Sequence, residues 1–140
     1  MPENSELAGA FSTGNAALAQ LHREADEIQD YMNQRADILD PAALTDRLSH
    51  LDVYMARLSD MMIRAKVIRE KAKHAYVGEN EDRLNKMTAT VSNRLIDASL
   101  QEYTAAYNRL DTMYHTVEHL TRDLVTQISY IKKQMENFGG

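Results

Sequence analysis

From Leu84 to Phe138 the chain carries an apolar seam at helical spacing that neither proline nor glycine interrupts. The seam reads Leu84, Met87, Val91, Leu95, Ala98, then Leu110, Met113, Val117, Leu120, Leu124, Ile128, Ile131, Met135 and Phe138. A single straight helix of that length would reach about 80 Å at 1.5 Å per residue. It exceeds an ordinary globular helix, and so predicts a coiled-coil-like assembly or a bundle built from more than one chain. Between Leu100 and Ala106 the seam weakens, because Gln101, Glu102 and Thr104 intrude. A bend or a change of packing partner is expected there.

Two further helices are readable upstream. Asn15 is placed to cap a first helix reaching about Leu39, with an apolar stripe of Leu18, Leu21, Ala25, Ile28, Met32 and Leu39. Its outer face is acidic: Glu24, Asp26, Glu27, Asp30 and Asp37. Asp40-Pro41 is the clearest boundary, since Asp is a good N-cap and proline at the first helical position lacks only an N–H that would be unpaired anyway. The second helix then carries Leu44, Leu48, Leu51, Met55, Leu58, Met62, Ala65, Ala72 and Tyr76, with Arg69 the one polar break in the seam. Gly78 is expected to end it as a C′ residue, and Asn80 to cap the third helix with Glu81 and Asp82 in its first turn. The predicted fold is all-α with three helices, at about 15–39, 41–77 and 81–137. The last two form a long antiparallel hairpin, the first packs beside it, and the whole is oligomeric. Residues 15–138 make one helical domain, with residues 1–14 frayed or disordered and 139–140 a mobile tail.

Composition narrows the chemistry. The 140 residues include no cysteine, which excludes disulfides, thiolate catalysis and cysteine-based zinc sites. Seven Tyr and two Phe with no Trp are lean for an enzyme or a β domain, whereas eight Met suit helix–helix packing. Met1 to Gly14 lacks the basic and apolar regions of a signal peptide, and no run of about 18 apolar residues could span a membrane. A cytoplasmic location is expected, with no membrane partner. The formal charge of −5 argues against a dedicated duplex-DNA binder, for which a basic domain is expected.

The charge is unevenly spread. Arg57, Arg64, Lys66, Arg69, Lys71, Lys73 and His74 form a positive island opposed only by Asp60 and Glu70, and Tyr76 closes it. Lys66, Arg69 and Lys73 share one helix face. Such a run can neutralise phosphates, and an aromatic ring can stack an unpaired base. The same run also fits a solvated helix end where cations are favoured by the macrodipole. Elsewhere little points to chemistry. His115 and His119 stand four apart beside Glu118, without a third ligand or an HExxH pattern, so no metal site is assigned. The many carboxylate pairs lie on outer faces, not in apolar runs that would raise a pKa for acid–base work. No phosphate loop or catalytic triad order stands out, so no catalytic residue and no cofactor is assigned. Tyr103, Tyr107 and Tyr114 at helical spacing are read as core or interface residues.

Four segments carry a family resemblance. Arg69-Glu70-Lys71-Ala72-Lys73-His74-Ala75-Tyr76 is followed by a short Gly-containing acidic connector, Gly78 to Asp82. Then come Lys86-Met87-Thr88-Ala89-Thr90 and a long C-terminal helix ending Ser129-Tyr130-Ile131-Lys132-Lys133-Gln134-Met135-Glu136-Asn137-Phe138-Gly139-Gly140. Over Leu51 to Phe138 this layout resembles the UvsY-type recombination mediators of tailed phages, whose basic stretch reads Lys-Ala-Arg before a tyrosine pair. The second tyrosine is Val77 here. The resemblance implies a non-enzymatic homo-oligomer, a ring, that binds single-stranded DNA and helps load a recombinase onto strands covered by single-strand-binding protein. Lys71 and Lys73 would match the DNA-contacting pair, with Lys66 and Arg69 extending that surface and Arg64 and Tyr76 flanking it. The late seam of Leu110, Met113, Val117, Leu120, Leu124, Ile128, Ile131 and Met135 would hold the copies together. A helical assembly protein of a phage or mobile element (a scaffold, chaperone or anti-defence factor) is the alternative. A bundle-core metal enzyme is disfavoured, because no Glu-x-x-His occurs.

Overall fold

The computed structural model describes residues 2–34 and 40–139, with side chains from residue 14 onward. All regular structure among these residues is helical: α1 (Pro2–Asn33), α2 (Pro41–Glu79), α3 (Glu81–Asn85), α4 (Ala89–Ser99) and α5 (Gln101–Gly139). Five helices therefore replace the three expected. The expected third helix is divided into α3, α4 and α5. The first is helical from Pro2, not Asn15. Its expected continuation through Asp37 to Leu39 lies outside the described residues.

α2 is the spine, with α1 and α5 packed along it. Arg57 and Arg64 meet Glu27 and Glu24 of α1. On the other side Lys66 meets Tyr107, Arg69 meets Thr104 and Met55 meets Thr121. In both pairings residue numbers rise on one helix as they fall on the other, so α2 runs antiparallel to α1 and α5. α1 and α5 are parallel, and are tied by Arg109, which donates to Asp26 at 2.6 Å and to His22 Nδ1 at 2.9 Å.

The long core runs between the three helices. Leu21, Ala25 and Ile28 of α1, Leu44, Leu51, Leu58 and Met61 of α2, and Leu110 and Val117 of α5 are at most 2% exposed. Each large aliphatic side chain removed from water this fully stabilises the fold by about 1.5–3 kcal/mol. A second, smaller cluster joins Leu18, Leu100, Tyr103 and Ala106, with Ile68, Ala72 and Ile96 packed against it.

Helix boundaries follow local chemistry. At the start of α2, Asp40 accepts from the Ala42 N–H at 3.0 Å and Pro41 occupies the first helical position. At its end the expectation fails. Gly78 lies inside the helix with no positive φ, and α2 continues to Glu79. Asn80 does not cap α3 with its side chain; its Nδ2 instead donates back to the Tyr76 carbonyl, as does its own N–H. That satisfies a last-turn carbonyl of α2 and removes the need for a left-handed glycine.

Two breaks then divide the downstream segment without proline or glycine. Thr88 takes an extended conformation and caps α4, its Oγ1 accepting from Val91 N–H at 3.4 Å. At the second break Ser99 Oγ donates to the Ile96 carbonyl at 2.6 Å, and Leu100 leaves helical geometry with φ −106° and ψ 10°. A hydroxyl competing for a backbone carbonyl is a recognised cause of helix interruption. The expected bend near Leu100 thus has a local cause, and it turns Leu100 into the small cluster at 1% exposure.

Candidate nucleic-acid interface

The basic run lies on the last turns of α2, where the long core gives way to the smaller cluster. Its members separate by helix face. Arg64 points to α1: its Nη1 donates to Glu24 Oε1 at 3.2 Å and its Nη2 lies 2.9 Å from Oε2. The hydrogen bond to Glu24 pushes the guanidinium pKa up from its ordinary value. Arg64 thus holds two helices together, and its charge is matched within the chain.

Lys66 and Arg69 face α5. The Lys66 ammonium stands 5.3 Å from the centroid of the Tyr107 ring, within cation–π range. Arg69 is half-buried, which explains its place in the α2 seam. Its Nε donates to Thr104 Oγ1 at 3.2 Å, while Nη1 lies 3.6 Å from Glu70. The bond to Thr104 orients the guanidinium, and Glu70 flanks its Nη1. Lys71 is exposed, whereas Lys73 and Tyr76 are half-buried.

Arg69 also lines an open groove of about 830 Å³ between α2, α4 and the start of α5. Arg94, Gln101, Thr104 and Asn108 line it too, with Asp97 as the one acid. A smaller groove with Lys66, Glu70 and Tyr107 shares Arg69 and Thr104 and so continues the first. The two form one track bearing Lys66, Arg69 and Arg94 against Glu70 and Asp97, with two side-chain amides, a hydroxyl and an aromatic ring. This donor set suits phosphate oxygens and unpaired bases.

The sequence reading assigns Arg94, Gln101 and Asn108 to no site, and Tyr107 to a core or interface. A signal existed: Arg94, Gln101 and Asn108 stand at heptad spacing, each followed three or four residues later by alanine or threonine. Polar groups beside small residues leave a recess on a helix face. The helix break at Leu100 obscures the pattern, because it places the three on two helices.

The structure also places the late seam. Leu110, Met113, Val117, Leu124 and Ile128 are buried in this chain's own core, and Leu120 and Ile131 pack against it. Of the eight residues expected to join copies, only Met135 is exposed, at 55%. The seam's length comes from packing against α1 and α2 within one chain, which corrects its reading as an intermolecular surface.

Other candidates remain apart. His115 Nδ1 lies 2.8 Å from the Asp111 carbonyl oxygen and 3.6 Å from its carboxylate, and this pairing pushes its pKa up. Among the described residues no three His, Asp or Glu side chains gather as metal ligands, and no helix is long and apolar enough to cross a membrane. No family model, curated protein or solved structure matches the chain, so its functional reading rests on the charge and geometry of this track.

Proposed function

We propose that this chain is a non-enzymatic accessory factor that binds single-stranded DNA as a homo-oligomer and assists the loading of a recombinase. The observation that carries the reading is the α2–α4–α5 track, where Lys66, Arg69 and Arg94 align with the Tyr107 ring in a molecule otherwise acidic. Lys71 and Lys73 extend the same end of α2 and add cations within reach of a flexible strand, with the Tyr76 ring beyond them. An open track with amide donors favours an unpaired strand, whose bases can turn inward, over a stiff duplex read by a helix in its groove. Each copy supplies few cations, so the affinity comes from several copies on one strand.

The test is fluorescence anisotropy with a labelled oligothymidine and its duplex at 50 and 200 mM salt. The expected result is binding to the single strand that weakens with salt. Arg69→Ala/Arg94→Ala should flatten the log–log salt slope by about 1.4, from two phosphate contacts at about 0.7 each. A double variant that binds like the parent would remove the track from the site. A second reading, a helical assembly protein of a phage or mobile element, is favoured by the exposed apolar residues of α2. Absence of any single-strand binding at low salt would favour it.

A further inference from the structure

α4 is the long-enough helix with the weakest hold on the rest of the molecule. None of its 11 residues is buried, and Val91 is 45% exposed. Among the described residues no ion pair reaches it. The side-chain hydrogen bonds at its ends are local, Thr88 with Val91 and Ser99 with Ile96. α1 and α5, by contrast, are joined to α2 through Arg57, Arg64 and Arg69. α4 is held by apolar packing, with Ile96 resting on the Leu100 cluster. Both its ends are breaks in the helix: Thr88 is extended and Leu100 leaves helical geometry. Leu84 before the first break and Leu100 at the second are 7% and 1% exposed, so each joint is anchored. A short rod between two anchored joints, with little buried surface of its own, can rock without unfolding.

The same helix brings charge to the groove. Arg94 and Asp97 line it from α4, whereas Arg69 reaches it from α2. Arg94 is exposed, and no carboxylate pairs with it among the described residues. At about 830 Å³ the groove has the size of a pocket that encloses a drug-sized ligand. A single phosphate group is far smaller, so it meets both arginines together only when the groove narrows. From this we infer that α4 is a lid, which rocks toward α2 and α5 when a phosphate group enters the groove and closes Arg94 on it from one side with Arg69 on the other.

A ligand shifts such an equilibrium only through unequal affinity for the two arrangements. Here one guanidinium holds the phosphate in the open form and two hold it in the closed form, each through charge-assisted hydrogen bonds. Two carboxylates oppose the anion: Asp97, three residues from Arg94, and Glu70, 3.6 Å from Arg69 Nη1. They keep the grip reversible and favour a ligand with several phosphates over a lone one. α4 is about 16 Å long at 1.5 Å per residue, so a tilt of about 20° about Leu100 carries its far end by about 5 Å. The inference rests on the track of the proposed function for its ligand class, a chain of phosphates, and adds how the track closes.

The chain has no cysteine, so Thr90→Cys/Thr112→Cys places a spin-label pair at two chosen points. Both positions are exposed, one on α4 and one on α5, and neither lines the groove. Inorganic tripolyphosphate and oligothymidine are added separately, with binding of each followed by calorimetry. Each should shorten the distance between the labels by about 5 Å, the travel of the far end of α4, and narrow its spread. Arg94→Gln in the labelled chain should bind tripolyphosphate more weakly and show no shortening. Either ligand bound with the label distance unchanged overturns the lid, as does equal shortening in the Arg94→Gln chain. Shortening by tripolyphosphate with no binding of oligothymidine supports the lid and strikes the proposed function. Binding of neither ligand at low salt overturns both.

Discussion

The two ends of this molecule are built on different balances of burial and charge. Along most of its length α1, α2 and α5 enclose a continuous core from Leu21 to Ile128. At the far end, α4 has no buried residue of its own, and the small cluster around Leu100 does the packing. Charge divides in the same way. Residues 66–102 carry seven Lys and Arg against six Asp and Glu, whereas the rest of the chain carries nine against fifteen. The core-rich part spends its arginines on its own carboxylates, as Arg57, Arg64 and Arg109 do with Glu27, Glu24 and Asp26. Among the described residues, the core-poor part gives Arg94, Lys71 and Lys73 no carboxylate partner. The same α2 helix thus pairs its charges within the fold along one stretch and leaves cations at the surface along another.

That division is open to direct attack, and the core offers the largest effect. Leu58→Ala in the fully buried α2 position should cost about 2–5 kcal/mol and lower the urea midpoint of the whole chain. Leu100→Ala should cost about 2 kcal/mol, at the low end of the same range, because α4 is free to shift into the space. Its effect should appear as faster amide exchange in α4 before any shift in α1 or in the α2 residues near Leu51. Equal, cooperative loss in both variants would make the two ends a single unit.

The next effect concerns the α4 boundary. Thr88→Ala removes the side-chain acceptor for the Val91 N–H and should cost about 0.5–2 kcal/mol, read as exchange of the Ala89 to Val91 amides. A global loss of stability, with no local acceleration, would mean that α4 is held by packing and not by its cap.

The smallest effect is electrostatic and belongs to the core-rich part. The Asp111 carbonyl and carboxylate favour protonated His115, so its pKa is raised in the folded chain. A raised pKa means that the folded state binds the proton more tightly. The stabilising contribution is complete below the ordinary histidine value and fades as pH rises through the folded one. A proton NMR titration should place the His115 midpoint above that of a free histidine, and Asp111→Asn should move it down without reaching it. A midpoint at or below the free value in the parent would show that the pairing is not populated.

Much of the helical content was legible because apolar spacing alone dictates it. The Asp40-Pro41 dipeptide marks the start of α2 because its cap is made by neighbours two residues apart. Boundaries that depend on a competing hydrogen bond were not legible. Gly78 looked like a terminator, yet the Asn80 side chain satisfies the carbonyl that a left-handed glycine would have served. Ser99 looked unremarkable, but its hydroxyl takes the Ile96 carbonyl and divides α4 from α5. In the candidate site the α2 cations were visible as a run, while Arg94, Gln101 and Asn108 were not, since their approach to Arg69 depends on how α4 folds back.

What the amino-acid order determines by itself is an all-α chain with an α2 start at Pro41, a positive island at residues 57–74 and an acidic remainder. These depend on periodicity, capping and charge, which act over a few residues. Only the packed structure decides which apolar seam is consumed internally and which cations remain free. Leu110 to Ile128 could have faced another copy, and Arg64 could have faced a phosphate. α2 covers most of the first, with α1 completing the cover, and Glu24 of α1 neutralises the second; which helix packs where depends on contacts far apart in sequence, which periodicity and capping do not reach.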